Sequence, residues 1–256
     1  MFWGIFLGGI AALLSYRARL LTGSGAVAMF VLAVPIFGYG GWAWTVPIVA
    51  FFVPSSLLSK VGKAKKRQFH LVFEKSDRRD AWQVMANGGV AGVVAIYYAV
   101  TGDGTVFPIY CAALAAASAD TWATELGTLA KGTPRLVTTF RSVPAGTSGG
   151  ITLTGLMSSL AGSLLVALSG WVFVGTVMTL VMVSLCGLAG SLIDSFLGAT
   201  VQAQYACGEC GKVTERREHC DQSTERVSGL AWMNNDWVNV LGIVGATALA
   251  GLIIYS

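Results

Sequence analysis

An all-α, polytopic membrane helix bundle of about eight transmembrane helices is the fold this sequence predicts, and three observations predict it. Hydrophobic residues make up 54% of the chain and charged residues only 12%, with a mean hydropathy of +0.66. Eight apolar stretches fill most of the length. All seventeen Lys and Arg fall in four segments, Arg17–Arg19, Lys60–Arg79, Lys131–Arg141 and Lys212–Arg226. Between those segments lie turns with no cation, at 38–41, 101–104 and 169–170. Alternating basic and neutral loops follow the positive-inside rule, so the basic loops are expected on the cytoplasmic (inner membrane) or stromal face. A soluble protein has no reason to sort its charges this way.

The spans follow from where the apolar runs stop, given that about twenty apolar residues cross the hydrocarbon core. They are 2–15, 22–38, 41–58, 81–100, 105–129, 149–168, 171–197 and 235–255. The first lacks a preceding basic region and a cleavage site, so it reads as a retained helix rather than a signal peptide. Both termini then face outward. Residues 1–256 are expected to form a single integral membrane domain with basic-side loops at 59–80, 130–148 and 198–234.

Helices running outward open with small residues, at Gly23–Ala26, Asn87–Val90 and Ser148–Ile151. Two returning helices end in a shared pattern, Asp120-Thr121-Trp122 and Asp194-Ser195-Phe196. A parallel helix-pair repeat is one reading of this; similarity of Gly-rich membrane helices by composition is the other.

Asp120, Glu125 and Asp194 lie within predicted spans. A lone charge in hydrocarbon costs at least ~2.5–3.5 kcal/mol, so such residues usually face a polar cavity and act. Asp120 with Thr124, and Thr121 with Glu125, are i, i+4 pairs on one helical arc. Such an oxygen-rich stripe suits Mg²⁺, which takes carboxylates and substrate phosphates; a proton relay or an interhelical hydrogen bond would also use it. The last span opens Asn234-Asn235-Asp236-Trp237-Val238-Asn239, more amides than an N-cap requires, so Asn235, Asp236 and Asn239 are candidates for ligand or metal contact.

Phosphate-binding candidates lie on the basic side. Lys131, Arg135 and Arg141 bracket a Gly-rich turn with Thr147, Ser148 and Gly149, placed just before a predicted helix, where backbone N–H groups bind anions. Asn87-Gly88-Gly89 repeats the device at the fourth span, after the loop that carries Lys60, Arg78 and Arg79, which sit nearer helix ends and so have better access to a site at the membrane surface. Lys63, Lys65, Lys66 and Arg67 fit a topogenic run against anionic lipid. The absence of G-x-x-x-x-G-K-[ST] excludes a P-loop enzyme.

Cys207-x-x-Cys210 and Cys220 form a candidate Zn²⁺ knuckle in a basic-side loop. His219 is adjacent to Cys220, and neighbouring residues do not easily reach one ion. A solvated loop with incidental thiols is the alternative.

The segment Ala117-Ser118-Ala119-Asp120-Thr121-Trp122-Ala123-Thr124-Glu125-Leu126-Gly127 resembles the signature of the integral membrane family known by its human member, transmembrane protein nineteen. So do Gln83–Gly89, Gly146–Gly150, Ser191–Ser195, the Cys207–Cys220 loop and Asn234–Asn239, and the resemblance covers nearly the whole chain. It implies a membrane prenyl-phosphate kinase, like the phytyl-phosphate kinases that serve tocopherol synthesis. The donor would be a nucleoside triphosphate, CTP or ATP, and the acceptor a prenyl monophosphate whose tail stays in membrane lipid. Asp120, Glu125 and Asp194 would hold Mg²⁺, with Asp236, Asn235 and Asn239 near it. Lys131, Arg135, Arg141 and the 146–150 turn would take the nucleotide, and Lys60, Arg78 and Asn87 the acceptor. No nucleic-acid partner is expected. A CTP-dependent nucleotidyltransferase acting on a lipid phosphate is the near alternative. A cation-coupled transporter is the distant one, disfavoured because the polar residues crowd one side while the other offers only Asp103.

Overall fold

A computed structural model of the chain describes residues 1–61, 78–129 and 132–256. Among these residues are eight α-helices: α1 Phe2–Arg17, α2 Gly23–Tyr39, α3 Gly41–Leu58, α4 Ala81–Thr101, α5 Phe107–Gly127, α6 Leu153–Val174, α7 Val177–Thr200 and α8 Asn235–Tyr255. Six of them, α3 to α8, are long and apolar enough to cross a membrane. The 16-residue α1 and 17-residue α2 are shorter, about 25 Å at 1.5 Å per residue.

Local chemistry sets the ends. Thr22, Thr152 and Thr176 accept from the N–H three residues on, at 3.1, 2.9 and 3.2 Å, and so cap α2, α6 and α7. Asp80 and Gln83 form a reciprocal capping box on α4. Gly102 and Gly175, at φ 72° and 76°, terminate α4 and α6. The sixth span therefore starts at Leu153, later than expected. Residues 148–149 form a turn instead, and Gly150–Ile151 (β2) pairs antiparallel with Arg135–Leu136 (β1).

Small residues position the bundle. In α5, Ala112, Ala113, Leu114, Ala115, Ala117 and Ala119 are fully buried. α3, α4, α6, α7 and α8 all pack on α5. A Cβ added to Gly190 of α7 would lie 2.6 Å from Ala116 Cβ and 3.0 Å from Ala246 Cβ. One on Gly162 of α6 would lie 2.8 Å from Trp122 Cγ. Close backbone approach of this kind drives helix association where hydrophobicity cannot. At the neutral end, Trp44, Tyr98, Phe107 and Tyr110 cluster, and Tyr110 Oη donates to Trp44 O at 2.7 Å.

The openings expected to recur do not share one geometry. Gly23–Ala26 begins α2, Asn87–Val90 lies inside the second and third turns of α4, and Ser148–Gly150 precedes α6. Between α7 and α8 the chain builds a three-stranded antiparallel sheet, in the order Val213–Thr214 (β4), Gln204–Ala206 (β3) and Glu225–Ser228 (β7). It also builds a hairpin, Glu218–His219 (β5) with Gln222–Ser223 (β6). No helical or apolar period announces these strands.

Candidate functional site

At the basic end of the bundle, the ends of α3, α5 and α7 and the starts of α4, α6 and α8 enclose a cavity of about 360 Å³. Of the residues singled out from sequence, Asn87, Asp120, Glu125, Thr147, Ser148, Gly149, Asp194, Asn235 and Asn239 line it.

Asp120 and Asp194 come from the two helices with the shared Asp motif and line the same cavity, their carboxyl groups close enough to interact. Two carboxylates at that separation repel unless a proton or a cation lies between them. A further void of about 10 Å³ lies deeper, bounded by Asn87, Asp120, Asp194 and Asn239, room for one water or one small ion. Asp194 Oδ2 and Asn239 Oδ1 are buried there without a hydrogen-bond partner among the described residues. Leaving such an oxygen unsatisfied costs about 1–3 kcal/mol. A hard cation with oxygen ligands would satisfy both, so this donor set fits Mg²⁺.

Glu125 has a different setting from the one expected. Its Oε1 accepts from Ser59 Oγ at 2.6 Å, and the carboxylate faces the Arg79 guanidinium. Arg79 lines the cavity, whereas Arg78, the one of the two assigned to the acceptor phosphate, does not. Burial pushes Arg79 below the ordinary guanidinium range, and Glu125 opposes that shift by stabilising the cation. Arg78 points elsewhere: its Nε and Nη2 donate to Leu21 O at 3.2 and 2.8 Å, and its guanidinium lies 5.7 Å from the Tyr16 ring. The physical reason is local. Leu21 and Arg79 form a parallel β-bridge, and in extended backbone neighbouring side chains face opposite ways.

Four other expected contacts do not line the cavity. Lys60 Nζ donates to Ala18 O at the end of α1, at 3.1 Å. Arg135 Nη1 donates to Phe140 O at 3.0 Å, within the loop that also carries the exposed Arg141. Asp236 is buried in the first turn of α8; Asn234 takes the capping role, and helical rotation leaves Asn235 and Asn239 on the cavity face. Lys131, and the run from Lys63 to Arg67, lie outside the described residues.

The Gly-rich turn lines the cavity and uses two of its own amides internally. Thr147 N donates to Pro144 O at 3.2 Å and Gly150 N to Thr147 O at 2.9 Å. Gly149, at φ 75°, lets the turn rest on α7: a Cβ there would sit 2.6 Å from Ala199 N and from Ser195 O. Asn87-Gly88-Gly89 likewise lies within α4, where helical bonds use the amides; Asn87 Nδ2 donates to Gln83 O at 2.9 Å.

Sequence reading missed Glu215. It reaches the cavity from the sheet after α7, and its Oε1 accepts from Ser148 Oγ at 2.9 Å and Gln202 Nε2 at 2.8 Å. Beyond it, Cys207, Cys210, His219 and Cys220 place their ligand atoms within 4.8 Å of one another, a cluster that could hold a metal ion. His219 thus joins the three cysteines, contrary to the expectation that its adjacency to Cys220 prevents this. The N–H of Cys210 is the largest influence drawing the Cys207 thiol down to about 6; desolvation opposes it.

A family model described as "Integral membrane protein DUF92" matches residues 6–247. The chain is similar to Protein PGR of Arabidopsis thaliana, 32% identical over 98% of this chain and 95% of that protein. It is 31% identical to Uncharacterized membrane protein MJ0933 of Methanocaldococcus jannaschii, over 78% of this chain and 82% of that protein. Protein VTE6, chloroplastic, of Arabidopsis thaliana is 26% identical over 87% of this chain, which spans 62% of that protein. No solved structure matches.

Proposed function

We propose, from the premise that the chain belongs to the DUF92 family of integral membrane proteins, that it transfers a phosphoryl group from a nucleoside triphosphate to a prenyl monophosphate, phytyl phosphate being the type of acceptor. The reading is carried by one observation: Asp120 and Asp194 meet in a cavity at the basic end of the bundle, with Arg79 in its wall. The family resemblance in the Ala117–Gly127 segment supports the same chemistry.

In the step, an oxygen of the acceptor phosphate forms a bond to the γ-phosphorus. The bond from that phosphorus to the β–γ bridging oxygen breaks, and a nucleoside diphosphate leaves. The acceptor already carries its nucleophile, so positioning and charge neutralisation dominate. Asp120 and Asp194, with Asn87 and Asn239, would hold Mg²⁺; when bound, the ion neutralises charge on phosphate oxygens. Arg79 binds the acceptor phosphate, and Glu125, fixed by Ser59, holds the guanidinium in place. Thr124 and Ser195 line the same wall and offer hydroxyls to phosphate oxygens. The tail lies among the apolar helices.

A panel of CTP and ATP against phytyl and geranylgeranyl phosphate, with purified protein in detergent, tests this. Mg²⁺-dependent release of nucleoside diphosphate with formation of prenyl diphosphate is the expected result. Release of pyrophosphate with a nucleotide-linked lipid would replace the reading with nucleotidyl transfer. Turnover of no pair would remove it.

A further inference from the structure

We infer that Cys207, Cys210, His219 and Cys220 form a tetrahedral site for one zinc ion, with His219 Nδ1 as the nitrogen ligand, and that the metal holds Glu215 at the mouth of the cavity. His219 Nδ1 lies 3.5 Å from Cys210 Sγ and 3.1 Å from Cys220 Sγ. With zinc bonds of about 2.3 Å to sulfur and 2.1 Å to nitrogen, tetrahedral geometry puts neighbouring ligands roughly 3.6–3.8 Å apart. The cluster is therefore already contracted around a point, and small shifts suffice to admit an ion. His219 is 5% exposed, and its Nε2 has no hydrogen-bond partner among the described residues, so the thiols are the polar company the ring has.

The backbone explains how adjacent residues both reach that point. Cys220 and Asp221 have φ 53° and 56° and form the two-residue loop of the β5–β6 hairpin. Two positive φ values mark a type I′ turn, which favours Asn-Gly. A cysteine there costs about 1–2 kcal/mol in backbone strain; the turn carries Cys220 back beside the ring that precedes it. On the other side, Gly211 at φ 68° closes the Cys207–Cys210 knuckle, with its N–H donating to Cys207 O at 2.9 Å. Glu215 lies between the two ligand pairs in sequence and bonds Ser148 and Gln202 at the cavity. The site is structural: all four positions are taken by protein, and it requires no phosphoryl transfer.

The test uses the full-length chain, without a polyhistidine tag, purified under reducing conditions. About one zinc per chain is expected by elemental analysis, and cobalt substitution should give tetrahedral d–d bands with thiolate charge transfer. His219→Gln should weaken zinc binding at least tenfold, since even supporting residues around a metal contribute about 10–100-fold. Unchanged zinc affinity and an unchanged cobalt spectrum in that variant would overturn the histidine assignment. A wild-type chain isolated without zinc, or with a disulfide among the three cysteines, would overturn the site. Chelator stripping of the wild type should speed hydrogen exchange at residues 144–150 together with 207–223; unaltered exchange at 144–150 would overturn the link to Glu215.

Discussion

Ser59 Oγ donates to Glu125 Oε1 over 2.6 Å, tying the end of α3 to the end of α5 at the carboxylate that faces Arg79. The carboxylate stabilises the Arg79 cation against burial, and the arginines at 78 and 79 have different surroundings.

Arg79→Ala should raise KM for the prenyl phosphate at least tenfold, a loss of about 1.4 kcal/mol of binding, while leaving the folded fraction intact. Arg78→Ala should do the reverse: it removes the donors to Leu21 O, so the melting temperature falls and the KM of the surviving protein is unchanged. Steady-state kinetics beside thermal unfolding in detergent distinguishes the two.

Asp120→Asn and Asp194→Asn should each reduce kcat by about 10²–10³-fold, the usual scale for removing a preorganised electrostatic partner. Because the two carboxyl groups interact across one cavity, the double variant should lose little more than either single one. Titration of Mg²⁺ dependence checks this; additive losses would place them in separate roles.

Gly25→Ala should destabilise the chain by about 1–3 kcal/mol, because the new Cβ meets the Arg79 carbonyl and overpacking costs on that scale. Gly23→Ala is the control, since nothing lies within 4 Å of its added Cβ; it should be neutral or slightly stabilising. Loss of activity should accompany the first substitution, because the Arg79 backbone moves with it.

Acidification should loosen the neutral end. The Thr105 hydroxyl and N–H hold the Asp103 carboxyl below the usual carboxylate range, with Tyr255 adding to the effect. A folded pKa below the unfolded value of about 3.9 means the stabilisation is present above that pH and is lost as pH falls through the folded value. Hydrogen exchange at residues 250–256 should rise below about pH 4 in wild type, and Asp103→Asn should show the raised exchange at neutral pH.

The helices were legible because apolar length and one-sided cations speak directly of membrane crossing, and Asp120 with Asp194 because a carboxylate in such a span needs a reason. Arg78 and Arg79 both read as close to the site; which of them lines the cavity depends on a local matter, the extended backbone beside Leu21 that turns consecutive arginines to opposite sides. His219 is hard to read as a ligand from sequence, because adjacent ligands look incompatible without the left-handed turn at Cys220. The late start of α6 was available in Thr152, an N-cap residue, but the glycines before it drew the boundary forward. Glu215 left no trace, since nothing in a charged loop shows which carboxylate returns to the bundle.

The alanine face of α5 has one further consequence. A helix walled in by five others has no room to vary: a bulkier side chain there pries the whole assembly open. Under the proposed activity, a prenyl tail would lie in a seam between the surrounding helices rather than along α5. Substitutions that change which tail length this chain accepts are then expected on those outer staves, with the central axle left small.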